Sequence, residues 1–301
     1  MTQRIISCDS TILNTLQACA RKCDLSFNKN VHTVSKASPL ERGDLMHKML
    51  EIYYALKGDC FRLNSPVWTE LTSAGLIIPT SREHMIIVNF ATACGRYFAT
   101  QMELEADDVE SVYFQFKEYC IFNQHDNWIP LAVEEVGSKV LFENEDFKFI
   151  YNFKIDLIAQ QGNNIVPWDH KTSKRREEVS DLSNQFIGYA WALNLEHVLV
   201  NKIGFQKTLK PGERFQRFIL NISSARRKEW QQNTINWMFQ LVNNQNSDNW
   251  PMNLTSCDKY NGCLYKPLCS ADPESREYKI ERDYKIGDSW DVAHILEAKE
   301  S

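Results

Sequence analysis

Residues 147–174, FKFIYNFKIDLIAQQGNNIVPWDHKTSK, decide how the chain is read. Phe147, Phe149, Tyr151, Phe153, Ile155 and Leu157 alternate with Lys148, Asn152, Lys154 and Asp156, the period-two pattern of a half-buried strand. Gln160 to Asn164 supply a turn, since Gly162 and Asn163 both tolerate positive φ. A shorter apolar run, Ile165 to Trp168, ends in Asp169, His170 and Lys171. Strand alternation places Asp169 and Lys171 on one face and Trp168 and His170 on the other. With Gly162 and Asn163 at the turn centre, Gln160 faces Ile165 and Asp156 faces Asp169. Directly opposed carboxylates destabilise a strand pair, whose Cβ atoms lie about 4.5–5.5 Å apart, so this register calls for a cation between them. Mg²⁺ or Mn²⁺, held by one or two carboxylates and completed by water and phosphate, meets that need.

Working outward, 301 residues with 43% hydrophobic content can bury a substantial core, suiting one large domain or a main domain with helical additions. The formal net charge of −5 excludes the overall basic field of many nucleic-acid binders. An anionic substrate has to be met by local clusters: Lys171 to Arg176, then Lys207, Lys210, Arg214 and Arg217, then Arg226 to Lys228. Each alone reads as a solvated face, and the first stands out because it begins at the paired carboxylates. No apolar run approaches the roughly 20 residues that span a bilayer, and MTQRIISCDS carries no signal-peptide core. The expectation is a soluble, cytoplasmic protein with no membrane partner. Nine cysteines, an odd number, argue against a disulfide framework and for thiols that are buried or bind metal.

Upstream, Ser10 to Leu25 has helical spacing, with Asp9 or Ser10 as N-cap and Cys19 and Cys23 one turn apart. A second helix is expected from about Leu40 to Lys57, with His47, Glu51 and Tyr54 beside its main apolar stripe. Further helices are expected over 61–105. From Val112 the run VYFQFKEYCIF reads as a strand, as does WIPLAVEEVGSKVLF, so an antiparallel meander leading into the hairpin is expected. Glu134 and Glu135 end the second of these and either reach Asp156 or form a solvated edge. Downstream come a helix over Asp181 to Leu195 with Gln185 and Tyr189 on one face, strands at His197 to Gln206 and Phe215 to Ile222, and a long helix from Ser224 to Asn243.

The tail changes character. SCDKYNGCLYKPLCS sets Cys257, Cys263 and Cys269 in an irregular segment without the close C-x2-C pairs that zinc favours. Thiolate-only ligation at loose spacing suits an iron-sulfur cluster, whose cuboidal form takes four Cys. The fourth donor is then distant, with Cys19 or Cys23 available.

Assembled in order, Cys19 in CARK, Gly43 and His47 in GDLMHKMLE, Asp156 in KIDLI, Asp169 and Lys171 in WDHKT, Gln185 and Tyr189 in QFIGYA and the tail cysteines resemble the PD-(D/E)xK nuclease superfamily. The resemblance is to its RecB- and AddB-type members that carry an iron-sulfur cluster, and most to the stand-alone ones of phages and CRISPR loci. It implies an α/β (α+β), restriction-endonuclease-like fold, a mixed central sheet flanked by helices. Residues 1–110 would form an N-terminal helical region, 111–245 the nuclease core and 246–301 a cysteine-rich segment. It implies that His47, Asp156 and Asp169, with the backbone carbonyl of His170, hold Mg²⁺ or Mn²⁺. Lys171 would orient the attacking water, Gln185 and Tyr189 would position the DNA strand, and Glu134 is a further candidate. Cys19, Cys257, Cys263 and Cys269 would bind a [4Fe-4S] cluster. The implied activity is metal-dependent hydrolysis of DNA, as an exonuclease acting on single strands or ends in recombination, repair or CRISPR adaptation, with proteins of those processes as partners. A non-catalytic DNA-binding module of the same fold is the alternative. Cys19 is followed by Ala20, where those nucleases usually have proline.

Overall fold

The structure is a computed structural model describing residues 3–33, 38–61, 65–173, 179–259 and 262–287. In chain order it forms β1 (Arg4–Cys8), α1 (Ser10–Ala18), α2 (Ala20–Cys23), β2 (Val31–Thr33), α3 (Ser38–Lys57), α4 (Pro66–Ser73), α5 (His84–Gln101) and α6 (Ala106–Phe122). There follow β3 (Ile129–Glu143), β4 (Phe147–Gln161), β5 (Asn164–Ser173), α7 (Asn184–Leu193), β6 (His197–Gly204), α8 (Pro211–Arg214), β7 (Phe215–Asn221), α9 (Ser224–Ser247), α10 (Lys266–Cys269), α11 (Arg276–Asp283) and β8 (Tyr284–Ile286). This is the expected mixed α/β class. The described residues group into two compact units, those within 3–33, 138–153 and 225–287 in one, and those within 38–137 and 154–224 in the other.

In the second unit the hairpin takes the register its turn dictates: Gln160 pairs Ile165 and Leu157 pairs Trp168, antiparallel. β5 then runs parallel to β6, and β6 antiparallel to β7. α7 makes the crossover that a parallel pair requires. Helix α3 is buried almost all round, Leu45, Met46, Met49, Ile52, Tyr53 and Leu56 being fully or almost fully enclosed by α5, α6 and the sheet residues Leu157, Trp168 and Leu199. Its glycine has a positional reason: a Cβ at Gly43 would lie 3.0 Å from Thr172 Oγ1. The helix therefore passes close to β5 just one turn before His47.

The strand expected over 112–122 is instead most of α6. Val112, Tyr113, Phe116, Tyr119 and Cys120 are buried at spacings of three and four, and Asp107 and Asp108 favour the helix start. The aromatic and β-branched content suggested a strand; the burial period overrides that propensity.

In the first unit β1 pairs in parallel with residues 147–151 of β4. Trp230 of α9 packs on Tyr151 with ring centroids 5.1 Å apart, and Phe239 meets Phe142, Phe147 and Phe149. Asp9 caps α1 by accepting from Ile12 N at 2.7 Å. The expected continuous helix through Leu25 breaks at Cys19, whose backbone is extended, and resumes as α2. β2 and β8 form a small antiparallel pair, beside a minor core of Leu25, Val31, Tyr265 and Leu268. Among the described residues, no helix is long and apolar enough to cross a membrane.

Candidate active site and metal centre

Three elements of the second unit bring donors together. His47 from α3, Glu134 from β3 and Asp156 from β4 each offer one ligand atom, all within 4.8 Å of one another. His47 Nδ1 lies 3.6 Å from Asp156 Oδ2, and that oxygen accepts the backbone N–H of His170 at 2.6 Å. Asp156 is thereby tied to the strand that carries Asp169. Glu134 reaches the group from an unusual backbone, with φ of +49° inside a strand. Such a local twist re-aims a side chain, as a bulge does, and costs of order 1 kcal/mol or more for a residue with a Cβ.

Asp169 stands beside this trio, 1% exposed. Its Oδ2 is 2.8 Å from Lys171 Nζ, and its Oδ1 accepts from Gln185 Nε2 at 2.7 Å. Lys171 Nζ also donates to Gln185 Oε1 at 2.9 Å, so Gln185 clasps both members of the Asp-x-Lys set. Gln185 Nε2 contacts Tyr189 Oη at 2.8 Å, and that hydroxyl donates to the carbonyl of Lys154. The helical spacing of Gln185 and Tyr189 thus links α7 to both hairpin strands.

The charge balance is uneven. Burial, then Asp169 and Glu134, hold the Asp156 carboxyl well above the usual carboxylate range. Burial and then Glu134 push Glu51 up to about 7, against the pull of Lys48, 3.3 Å away, and Lys154. Burial lowers His47, which Glu134 and Asp169 counter. Neutral imidazole and crowded carboxylates form a donor set that suits a divalent cation, and Asp156 sits where only added positive charge makes its ionised form comfortable.

Behind the site, His170 is neutral, burial holding it well below its ordinary value. Its ring stacks on Tyr54 at 5.5 Å and its Nδ1 meets Asn201 Nδ2 at 2.8 Å. Asn201 also donates to Tyr119 Oη at 2.9 Å. Arg217 binds Asp126 at 2.7 Å and lies 4.6 Å over the ring of Trp168. The basic cluster ending in Arg217 is therefore no continuous exposed patch: Arg217 is half-buried and Arg214 buried, donating to Gln115 at 2.8 Å. Lys174 to Arg176 lie outside the described residues.

The expected site residues Glu134, Asp156, Asp169, Lys171, Gln185, Tyr189, His47 and His170 all fall in this one unit. Glu51 and Lys154 were missed as site residues, although Glu51 follows His47 by one helical turn and Lys154 shares a strand face with Asp156.

In the first unit Cys8, Cys19, Cys23, Cys257, Cys263 and Cys269 form no disulfide. The backbone N–H of Asn253 points at Cys19 Sγ at 3.4 Å, and Cys257 Sγ donates to the Asn253 carbonyl at 3.8 Å. Cys269 is pushed up by burial and by Cys263 and Cys19, and pulled down by Arg21 and Arg276. Cys23 is buried, its thiol pushed up to about 12.

A family model, that of the PD-(D/E)XK nuclease superfamily, matches residues 10–270. No curated protein matches the chain. Among solved structures, one described as "Crystal structure of SSO0001" is 13% identical over 79% of this chain and 97% of its own, with a TM-score of 0.34. With a family match across most of its length, the chain belongs to the PD-(D/E)XK nuclease superfamily.

Proposed function

We propose that this superfamily member is a divalent-metal-dependent deoxyribonuclease, acting as an exonuclease on single strands or DNA ends in recombination, repair or CRISPR adaptation. The observation that carries the reading is the convergence of His47, Glu134 and Asp156 within 4.8 Å, beside an Asp169–Lys171 pair only 2.8 Å apart. His47, Glu134, Asp156 and Asp169, with the His170 carbonyl, would hold Mg²⁺ or Mn²⁺. A bound ion would lower the pKa of the attacking water and offset charge on the scissile phosphate.

The chain's own residues supply the rest. Asp169 pairs with Lys171 at 2.8 Å, tethering the ammonium at the site. Gln185, bonded to both, fixes the ammonium's direction, so Lys171 can stabilise negative charge gathering on the phosphate oxygens without rearranging. Tyr189, through Gln185 and the Lys154 carbonyl, holds α7 and β4 in register for strand placement. His170, neutral and stacked, sets the backbone between Asp169 and Lys171.

Cys19, Cys257, Cys263 and Cys269 are proposed to hold a [4Fe-4S] cluster of structural role. The four-thiol donor set, with Asn253 bonded to both Cys19 and Cys257, supports that choice, and the core burial of Cys23 favours Cys19 over it. An intracellular setting accords with nine cysteines that form no disulfide. The functional division into 1–110, 111–245 and 246–301 is likewise a proposal. One anaerobic preparation tests the whole: it should be coloured, contain iron, and degrade end-labelled DNA in Mg²⁺ or Mn²⁺ but not in EDTA. A colourless preparation removes the cluster, and activity undiminished by EDTA removes the metal mechanism.

A further inference from the structure

Lys154 lies two residues before Asp156 on β4, so both side chains leave the strand on the same face. Its ammonium contacts Glu134 Oε2, one of the three converging donors; the lysine side chain is 47% exposed and that of the glutamate 17%. Glu51 and Asp156 add to the attraction. One carboxylate is therefore claimed twice, by an internal ammonium and by any divalent ion that His47 and Asp156 help to hold.

We propose that Lys154 is a placeholder cation, neutralising Glu134 until Mg²⁺ or Mn²⁺ binds, then yielding that carboxylate and turning its ammonium to a phosphate of the DNA strand. The two partners differ in freedom. Lys154 has a half-exposed side chain on a flexible stem, whose ammonium water can re-solvate at little cost. Glu134 springs from a strand backbone at φ +49°, so its direction is set by the fold. Lys171, by contrast, is bound by both Asp169 and Gln185, and no metal donor depends on its leaving. The inference deepens the nuclease reading and rests on it.

The test is Mn²⁺ binding to the full chain, measured calorimetrically without DNA, for wild type, Lys154→Met and Lys154→Arg. Removing the competitor should tighten Mn²⁺ binding by about two- to fivefold, the effect expected of one partly exposed ion pair. The arginine variant, which keeps the charge, should stay within about twofold of wild type. With single-stranded DNA and saturating Mn²⁺, Lys154→Met should raise KM several-fold and leave kcat within about twofold. Unchanged or weaker Mn²⁺ binding by Lys154→Met overturns the placeholder, and an unchanged KM overturns the phosphate contact. If wild type itself binds no Mn²⁺, the metal-centre reading falls first and this one with it.

Discussion

The candidate metal centre and the cysteine segment are built on opposite plans. Around the centre the packing is dense: α3 is enclosed on nearly every side, while the site gathers Glu51, Glu134, Asp156 and Asp169 against Lys48, Lys154 and Lys171, a formal surplus of negative charge. Around the cysteines the apolar support is thin, four buried residues with a few partners. Its shape comes from side-chain hydrogen bonds to backbone carbonyls. Asn253 and Ser256 both donate to the carbonyl of Ala18 at 2.9 and 2.7 Å, Arg21 reaches the carbonyl of Trp250 at 3.1 Å, and Arg276 that of Cys269 at 3.1 Å. A well-packed scaffold can hold like charges together before their counter-ion arrives, whereas a hydrogen-bonded loop depends on a crosslink to keep its geometry.

That contrast can be broken most forcefully at Asp169. Asp169→Asn keeps the volume and the bond from Gln185 but removes the charge facing Lys171, and should cut single-turnover DNA cleavage by about 10²–10³-fold or more. Its melting should remain cooperative and close to wild type; a variant that cleaves at the wild-type rate would refute the assignment. Cys263→Ser should do the reverse, leaving the metal-centre residues competent while amides of 254–287 lose hydrogen-exchange protection. Equal protection in the variant would show that the hydrogen bonds suffice without a cluster.

The smallest expected effect sharpens the electrostatic half. Asp156 and Glu51 have raised pKa values in the folded state, so between the ordinary unfolded value of about 4.3 and about 7 for Glu51 the folded chain binds more protons than the unfolded one. Their contribution to stability is thus fully present below that window and is lost as pH rises through it. Metal-free protein should melt a few degrees lower at pH 8 than at pH 5, and added Mg²⁺ should stabilise it more at pH 8. A melting temperature that rises over this range would refute the account.

Much of the site was legible because it obeys local rules. The Gly162–Asn163 turn fixes the register by which Asp156 approaches Asp169, and helical spacing alone pairs Gln185 with Tyr189. Gly43 and His47 sit one turn apart for a reason visible only in three dimensions, the close pass of α3 by Thr172. What escaped the sequence is what depends on non-local partners. Residues 112–122 carry strand propensity but bury a helical face, and at the break the Cys19 thiol meets the backbone N–H of Asn253, 234 residues away. Lys154 and Glu51 looked like ordinary charges because their meaning comes from Glu134, whose own placement needs a backbone conformation that spacing does not reveal.

Glu134 shows most clearly where foldability and chemistry part company. At φ +49° glycine would relax the chain by something of order 1 kcal/mol, so a lineage pruned only for robustness would drift toward the residue with no side chain. Glu134→Gly should accordingly melt no lower than wild type while binding Mn²⁺ more weakly, marking the position as one where durability has been surrendered to keep a carboxylate in place.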